Sequence, residues 1–155
     1  MNRGIVVVGT SYDTPEFAVD CLKLWLNEIG WNTYPHMSKL LLLCDSGGSN
    51  GYRPRVWKYN LYKQIAQPYG IDVTVCHYPP GASKWNPVEH RLFSFISMEW
   101  AGYPLRSLDL MLEYIRGTTT KTGLQVLAFH NNHFKEISIK RHEILPNWNY
   151  TITPN

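Results

Sequence analysis

The sequence has few cysteines and no long apolar run. Its three cysteines are an odd number without CxxC spacing, so we expect neither a disulfide framework nor a zinc site, and free thiols fit a reducing cytoplasm. Ile5–Val8 is too short for the core of a signal peptide, and no run approaches the roughly 18 apolar residues of a membrane span. We therefore expect a cytoplasmic protein without a membrane partner.

Charge is also sparse and is spread along the chain. Charged residues make up 17% and apolar residues 44%, a balance typical of a globular protein rather than a disordered one. No internal repeat, low-complexity segment or linker divides the 155 residues, so we expect a single domain over residues 1–155. The net charge of +3 is compatible with DNA as a partner but is weak evidence for it.

The apolar pattern predicts an α/β protein. Buried strands are expected at Ile5–Val8, Lys39–Cys44 and Ile71–Cys76, and right-handed crossovers would make them parallel. The predicted helices run from Pro15, after a cap at Asp13 or Thr14, to Gly30; from Tyr52–Pro54 to Pro68–Gly70; over Pro87–Trp100; and from a Ser107 cap to Gly117. Further along, Leu124–Phe129 and Lys135–Lys140 fit short strands or irregular segments, and Trp148, Tyr150 and Ile152 alternate as in a terminal strand.

Asp45 follows a strong strand signal. It comes directly after the apolar run Leu40–Cys44, which is typical of a buried strand, and it precedes the sequence SGGSNG. Binding sites in open α/β sheets collect at the carboxyl ends of strands, and glycines let the backbone approach a ligand. Asp45 is therefore a candidate functional carboxylate.

Glu89 lies in the first turn of the predicted helix Pro87–Trp100. Asn86 can cap this helix, and Glu89 follows the cap by three residues, which fits a capping box. Phe93 and Ile96 continue from Glu89 at helical spacing, so we expect Glu89 on or beside the core-facing stripe. A carboxylate there needs a partner or a function, and a capping role and a catalytic role are both open.

Four motifs, in this order, resemble the Rhodopirellula transposase family: LLLLCDSGGSNGYRPRVWK, HYPPGASKWNPVEHRLFSFISMEW, TTTKTGLQV and WNYTITP. Members of this family are bacterial insertion-element transposases of the Asp-Asp-Glu superfamily. The resemblance implies a ribonuclease H-like fold, with a mostly parallel central sheet and helices on both faces. It also implies that Asp45 and Glu89 are the second and third catalytic acids, that they bind Mg²⁺ or Mn²⁺, and that DNA is the partner.

The chain departs from the family pattern at its start. The family's first catalytic Asp lies upstream of the segment that corresponds to Gly4–Thr10, so we expect a truncated catalytic domain that lacks the first strand and is inactive as it stands. One alternative is a non-enzymatic DNA-binding or regulatory remnant. Another is a metal nuclease in which Asp13 replaces the missing acid, although Asp13 also fits an ordinary role at the start of the first helix.

Several basic and aromatic residues are candidates for DNA contact, and each also has an ordinary structural alternative. The second predicted helix carries Arg55, Lys58 and Lys63 on one face, which is either a solvated face or a phosphate-contacting one. The further candidates are Lys84, Trp85, His90 and Lys121.

The family chemistry makes two placements testable. Two-metal phosphoryl transfer needs carboxylates around a pair of cations, so Asp45 and Glu89 should lie within about 8 Å of each other. Loss of the first strand would leave the strand before Asp45 with an unpaired edge, and we expect Ile5–Val8 to lie there as a parallel neighbour of Leu40–Cys44. A homodimer is the other way to cover that edge.

Overall fold

The computed structural model describes residues 2–131 and 147–155. Its strands are β1 (Arg3–Val8), β2 (Lys39–Cys44), β3 (Asp72–His77), β4 (Gln125–His130) and β5 (Asn149–Ile152). Its longer helices are α1 (Pro15–Trp25), α2 (Arg55–Leu61), α3 (Pro87–Glu99) and α4 (Leu108–Gly117). The segment Lys135–Lys140 lies outside the described residues. Among the helices that are described, none is long and apolar enough to cross a membrane.

The described residues form two compact units, each with its own sheet. The first unit comprises residues 2–10 and 84–131, and its strands β1 and β4 are parallel. The second unit comprises residues 11–83 and 147–155, with the strand order β2-β3-β5. The predicted parallel pairing of β2 with β3 is confirmed, and the predicted terminal strand is β5, which is antiparallel to β3.

The core of the second unit lies on one face of its sheet. Val73 and Val75 of β3 are fully buried and belong to the same apolar cluster as Trp57 of α2. Alternate residues of a strand point to opposite faces. Accordingly, Leu41 and Leu43 of β2 are 60% and 57% exposed.

The core of the first unit explains why β1 pairs with β4. Val6 and Val8 of β1 pack against a cluster that includes Ile96 of α3 and Leu112 of α4. β1 pairs with β4, from Arg3↔Gln125 to Val8↔His130. Packing on α3 and α4 therefore accounts for the pairing of β1 with β4. β1 and β2 belong to different units, so the expected pairing of Ile5–Val8 with β2 stays a prediction. Among the described residues of the second unit, β2 pairs only with β3.

The sequence predicted that the first helix ends at Gly30, but the helix continues beyond this residue. A wider turn at Leu26–Gly30 and a last turn at Trp31–Thr33 continue α1. Gly30 is buried, and a Cβ atom added to it would lie 3.2 Å from the Trp25 ring, so this glycine serves close packing instead of helix termination. A wider turn at Tyr62–Ala66 and a last turn at Gln67–Tyr69 continue α2 in the same way. Gly70 ends this helix as predicted: it has φ = +64° and follows Tyr69.

Candidate metal-binding and catalytic site

Asp45 lies at the carboxyl end of β2, as predicted, and is exposed. Two hydrogen bonds from the end of β3 hold the backbone at this point. The Tyr78 N–H donates to the Cys44 carbonyl at 2.8 Å, and the His77 ring nitrogen Nδ1 lies 2.9 Å from the Asp45 carbonyl oxygen. The β-sheet therefore fixes where the Asp45 side chain leaves the strand.

Glycines close the loop that follows Asp45. The Gly51 N–H donates to the Gly48 carbonyl at 3.2 Å, and Gly48 has φ = +75°, a conformation that favours glycine. A Cβ atom on Gly51 would lie 2.9 Å from the Ser46 carbonyl oxygen, so this position has no space for a side chain. Gly47 differs, because a Cβ atom there would meet no other atom within 4 Å. The loop is thus compact at one end and open beside Asp45.

A cavity of about 420 Å³ lies next to this loop in the second unit. Its lining residues are Asp13, Asp45, Ser46, Gly47, Gly48, Asn50, Pro79 and Gly81. Thr14, and not Asp13, caps α1, since its Oγ1 accepts a hydrogen bond from the Phe17 N–H at 3.2 Å. The structure therefore brings the carboxylates of Asp13 and Asp45 to one cavity.

The lining residues of this cavity fit a hard divalent cation. Mg²⁺ and Mn²⁺ prefer oxygen ligands, and Asp13, Asp45, Ser46 and Asn50 all carry side-chain oxygens. In residues 2–131 and 147–155, no three His, Cys, Asp or Glu side chains form a group that could hold a metal ion. A cation here would therefore also need ligands from water, substrate or elsewhere in the chain.

Glu89 lies in the first turn of α3, where it takes part in a capping interaction. The Glu89 N–H donates to Asn86 Oδ1 at 3.4 Å, and Asn86 Nδ2 donates to Glu89 Oε2 at 3.1 Å. The prediction that Asn86 caps this helix is therefore confirmed, and the Glu89 carboxylate bonds to the Asn86 side-chain amide. The expected core-facing stripe is shifted, because Phe93 is 49% exposed while Ile96 is 1% exposed. Glu89 is exposed, so its carboxylate is also accessible to a ligand.

The two predicted catalytic carboxylates belong to different units. Asp45 is part of the second unit and Glu89 of the first. Their convergence within about 8 Å stays a prediction from two-metal chemistry.

Four candidates for DNA contact lie in the first unit: Lys84, Trp85, His90 and Lys121. Trp85 lies in a short 3₁₀ turn at Ser83–Trp85 and is 69% exposed. Its side chain therefore does not stabilise the loop by packing inside it. Lys84, His90 and Lys121 are exposed as well.

Lys58 does not lie on the face that was predicted to be either solvated or phosphate-contacting. It is 7% exposed, its Nζ donates to the Asn147 carbonyl at 3.3 Å, and it lies 4.5 Å from the centre of the Tyr150 ring. Burial lowers the pKa of Lys58, and the nearby Arg55 lowers it further. The end of the chain packs over α2 and buries this lysine, which helical periodicity cannot foresee.

Sequence reasoning gave no role at this site to His77, the last residue of β3. The available signal was its position: it ends the strand that lies beside β2, opposite Cys44 in the register. His77 is 8% exposed and contacts the backbone of Asp45.

A family model described as the Rhodopirellula transposase DDE domain matches residues 1–154. The match confirms the family that the four sequence motifs suggested. No curated protein and no solved structure matches the chain.

Proposed function

Because the chain belongs to the Rhodopirellula transposase DDE domain family, we propose that it carries catalytic carboxylates of a metal-dependent enzyme for DNA strand cleavage and transfer. The main support is the exposed Asp45 after the buried strand β2, beside a cavity of about 420 Å³ whose lining suits a cation. Membership also implies a ribonuclease H-like fold. The parallel pair β2–β3, with Asp45 at its carboxyl edge, fits that fold.

In this proposal Asp45 and Glu89 hold the divalent cations. When bound, such cations activate a water or a 3′-hydroxyl and stabilise the leaving oxygen of the DNA strand. Asn86 orients the Glu89 carboxylate through its 3.1 Å hydrogen bond, and the open position at Gly47 leaves space for a phosphodiester beside Asp45.

Lys84, Trp85, His90 and Lys121 are the proposed DNA contacts. Cationic side chains bind phosphate oxygens, and an exposed indole can stack on a base. The 69% exposure of Trp85 supports such a role.

Asp13 is a second candidate ligand, because it lines the same cavity as Asp45 and does not cap α1. In this variant of the proposal, Asp13 supplies a third carboxylate from within the chain.

Fluorescence anisotropy of a labelled DNA duplex tests the proposal. At constant ionic strength, we expect Mg²⁺ to increase the affinity of the wild-type chain for DNA, because cations held by Asp45 and Glu89 also bind a phosphate. Asp45→Asn and Glu89→Gln should each lose this increase, since both remove one ligand charge and keep the side-chain size. In EDTA, both variants should bind DNA at least as well as the wild type. Asp13→Asn should lose the increase only if Asp13 is a ligand.

Metal-independent binding shared by the wild type and both variants would contradict the proposal. It would favour the non-enzymatic DNA-binding alternative, in which affinity depends on salt concentration and not on a bound metal ion. A supercoiled plasmid in the same buffers should stay uncut, because Asp45 and Glu89 supply two negative charges against four on two divalent cations. Nicking by the wild type that Asp45→Asn abolishes would show that a further ligand completes the site.

A further inference from the structure

The His77 ring makes a hydrogen bond whose direction is fixed by chemistry. Nδ1 lies 2.9 Å from the backbone carbonyl oxygen of Asp45. A carbonyl oxygen only accepts, so Nδ1 must carry the proton and donate it. The neutral ring is therefore held in the Nδ1–H tautomer, with its lone pair on Nε2.

This bond acts on the residue that we propose as a metal ligand. The Tyr78 N–H fixes the Cys44 carbonyl, and His77 fixes the next carbonyl, that of Asp45. Two successive peptide planes on either side of the Asp45 Cα atom are thus tied to the end of β3. The Asp45 side chain projects from a backbone that has little freedom to rotate.

The His77 ring is itself held in place. The rings of Tyr52 and Tyr150 lie 6.3 Å and 6.1 Å from it, centre to centre, and its backbone N–H donates to Asn149 Oδ1 at 3.3 Å. Trp148 stacks on Tyr52 at 4.4 Å. Tyr52, which precedes α2, and Tyr150 of β5 therefore hold the His77 ring in place. The Nδ1 atom of this ring is the donor to the Asp45 carbonyl.

Packing alone does not explain a histidine at this position. Its Nε2 is buried and has no hydrogen-bond partner among the described residues. A buried polar atom without a hydrogen-bond partner destabilises the folded state. A phenylalanine would fill a similar volume without that cost, so the feature that distinguishes the histidine is its Nδ1 donor.

We propose that His77 is a positioning residue that sets the metal-binding geometry of Asp45. The inference rests on the proposed function, in which Asp45 binds a divalent cation. Hydrogen bonds that orient metal ligands typically change metal affinity by about 10–100-fold when they are removed.

Two variants separate the hydrogen bond from the volume of the ring. In His77→Asn, the side-chain Nδ2 takes the place of Nδ1 and can still donate to the Asp45 carbonyl. In His77→Phe, the ring is kept and the donor is lost. We expect His77→Asn to bind Mn²⁺ within about threefold of the wild type and His77→Phe to bind it at least about tenfold more weakly. The measurement is the EPR signal of free Mn²⁺ in a titration of the purified chain.

Asp45→Asn distinguishes the two ways in which the experiment can fail. If Asp45→Asn binds Mn²⁺ as the wild type does, the proposed metal site is wrong, and the role of His77 is wrong with it. If Asp45→Asn loses Mn²⁺ while His77→Phe keeps it, or if both His77 variants lose it equally, only the positioning role is wrong.

A measurement on the wild type covers the case in which a His77 variant does not fold. Long-range ¹H–¹⁵N correlation spectra identify the tautomer of a histidine ring directly. The proposal requires the Nδ1–H tautomer for His77, and finding the Nε2–H tautomer would overturn it.

Discussion

Two adjacent residues at the end of β2 lie in opposite environments. Cys44 is 7% exposed and belongs to the core of the second unit, whereas the next residue, Asp45, is exposed at the cavity. Burial, together with the nearby Asp45 and Cys76, raises the pKa of the Cys44 thiol to about 12. The strand end thus places an inert, protonated thiol beside an accessible carboxylate.

This difference predicts how stability depends on pH. In the unfolded chain the Cys44 thiol ionises near its ordinary pKa of 9.0, whereas the folded chain keeps its proton up to a pKa of about 12. Between these values the unfolded state has lost a proton that the folded state retains, so the free energy of unfolding falls as pH rises. We expect a loss of about 1–2 kcal/mol between about pH 8 and about pH 10.5.

Urea unfolding of the wild type and of Cys44→Ala at both pH values measures this contribution. Cys44→Ala should show a smaller pH dependence, even if it is less stable at both values. An equal pH dependence in the two chains would show that the folded thiol titrates as an ordinary exposed one.

Single residues also show where sequence reasoning ends. The capping partners Asn86 and Glu89 were predictable, because they are three residues apart and interact within one turn. The burial of Lys58 and the contact of His77 with Asp45 were not, because their partners Asn147 and Asp45 are distant in the sequence and only tertiary folding brings them close.

At the scale of elements, the loop from Asp45 to Gly51 carries the proposed site on a compact turn. Gly51 is buried and lies against the backbone of Ser46 and Gly47, while Gly47 itself is exposed. Substitution at these two glycines should therefore have very different effects, although both belong to one loop.

We expect Gly51→Ala to lower the free energy of unfolding by about 1–3 kcal/mol, because the new Cβ atom displaces the backbone at Ser46. Gly47→Ala is the matched control and should change stability by no more than about 0.5 kcal/mol. Gly51→Ala should also weaken Mn²⁺ binding. Equal stability of the two variants in thermal unfolding would mean that the loop does not need its close contact at Gly51.

The elements themselves were largely predictable, and their assembly was not. Local signals mark α3 and α4 at both ends, and the apolar runs mark β2 and β3. The pairing of β1 with β4 was not foreseen, and the end of α1 at Gly30 was predicted wrongly. Both depend on packing: β1 against α3 and α4, and Gly30 against the Trp25 ring.

At the scale of the whole molecule, each unit contributes one of the proposed catalytic carboxylates. The second unit carries Asp45 on its sheet, and the first carries Glu89 on α3. The net charge of +3 gives only a weak general attraction to DNA, so the proposed function depends on these two sites acting together on bound metal.

Paramagnetic broadening by Mn²⁺ in backbone ¹H–¹⁵N spectra tests this claim most directly. We expect the amide signals of Asp45–Gly48 and those of the first turn of α3 around Glu89 to broaden together at the same low Mn²⁺ concentration. Asp45→Asn should weaken the broadening at both segments, because the two carboxylates share the cations. Broadening confined to one segment, or an unchanged signal near Glu89 in the Asp45→Asn variant, would contradict a shared metal site.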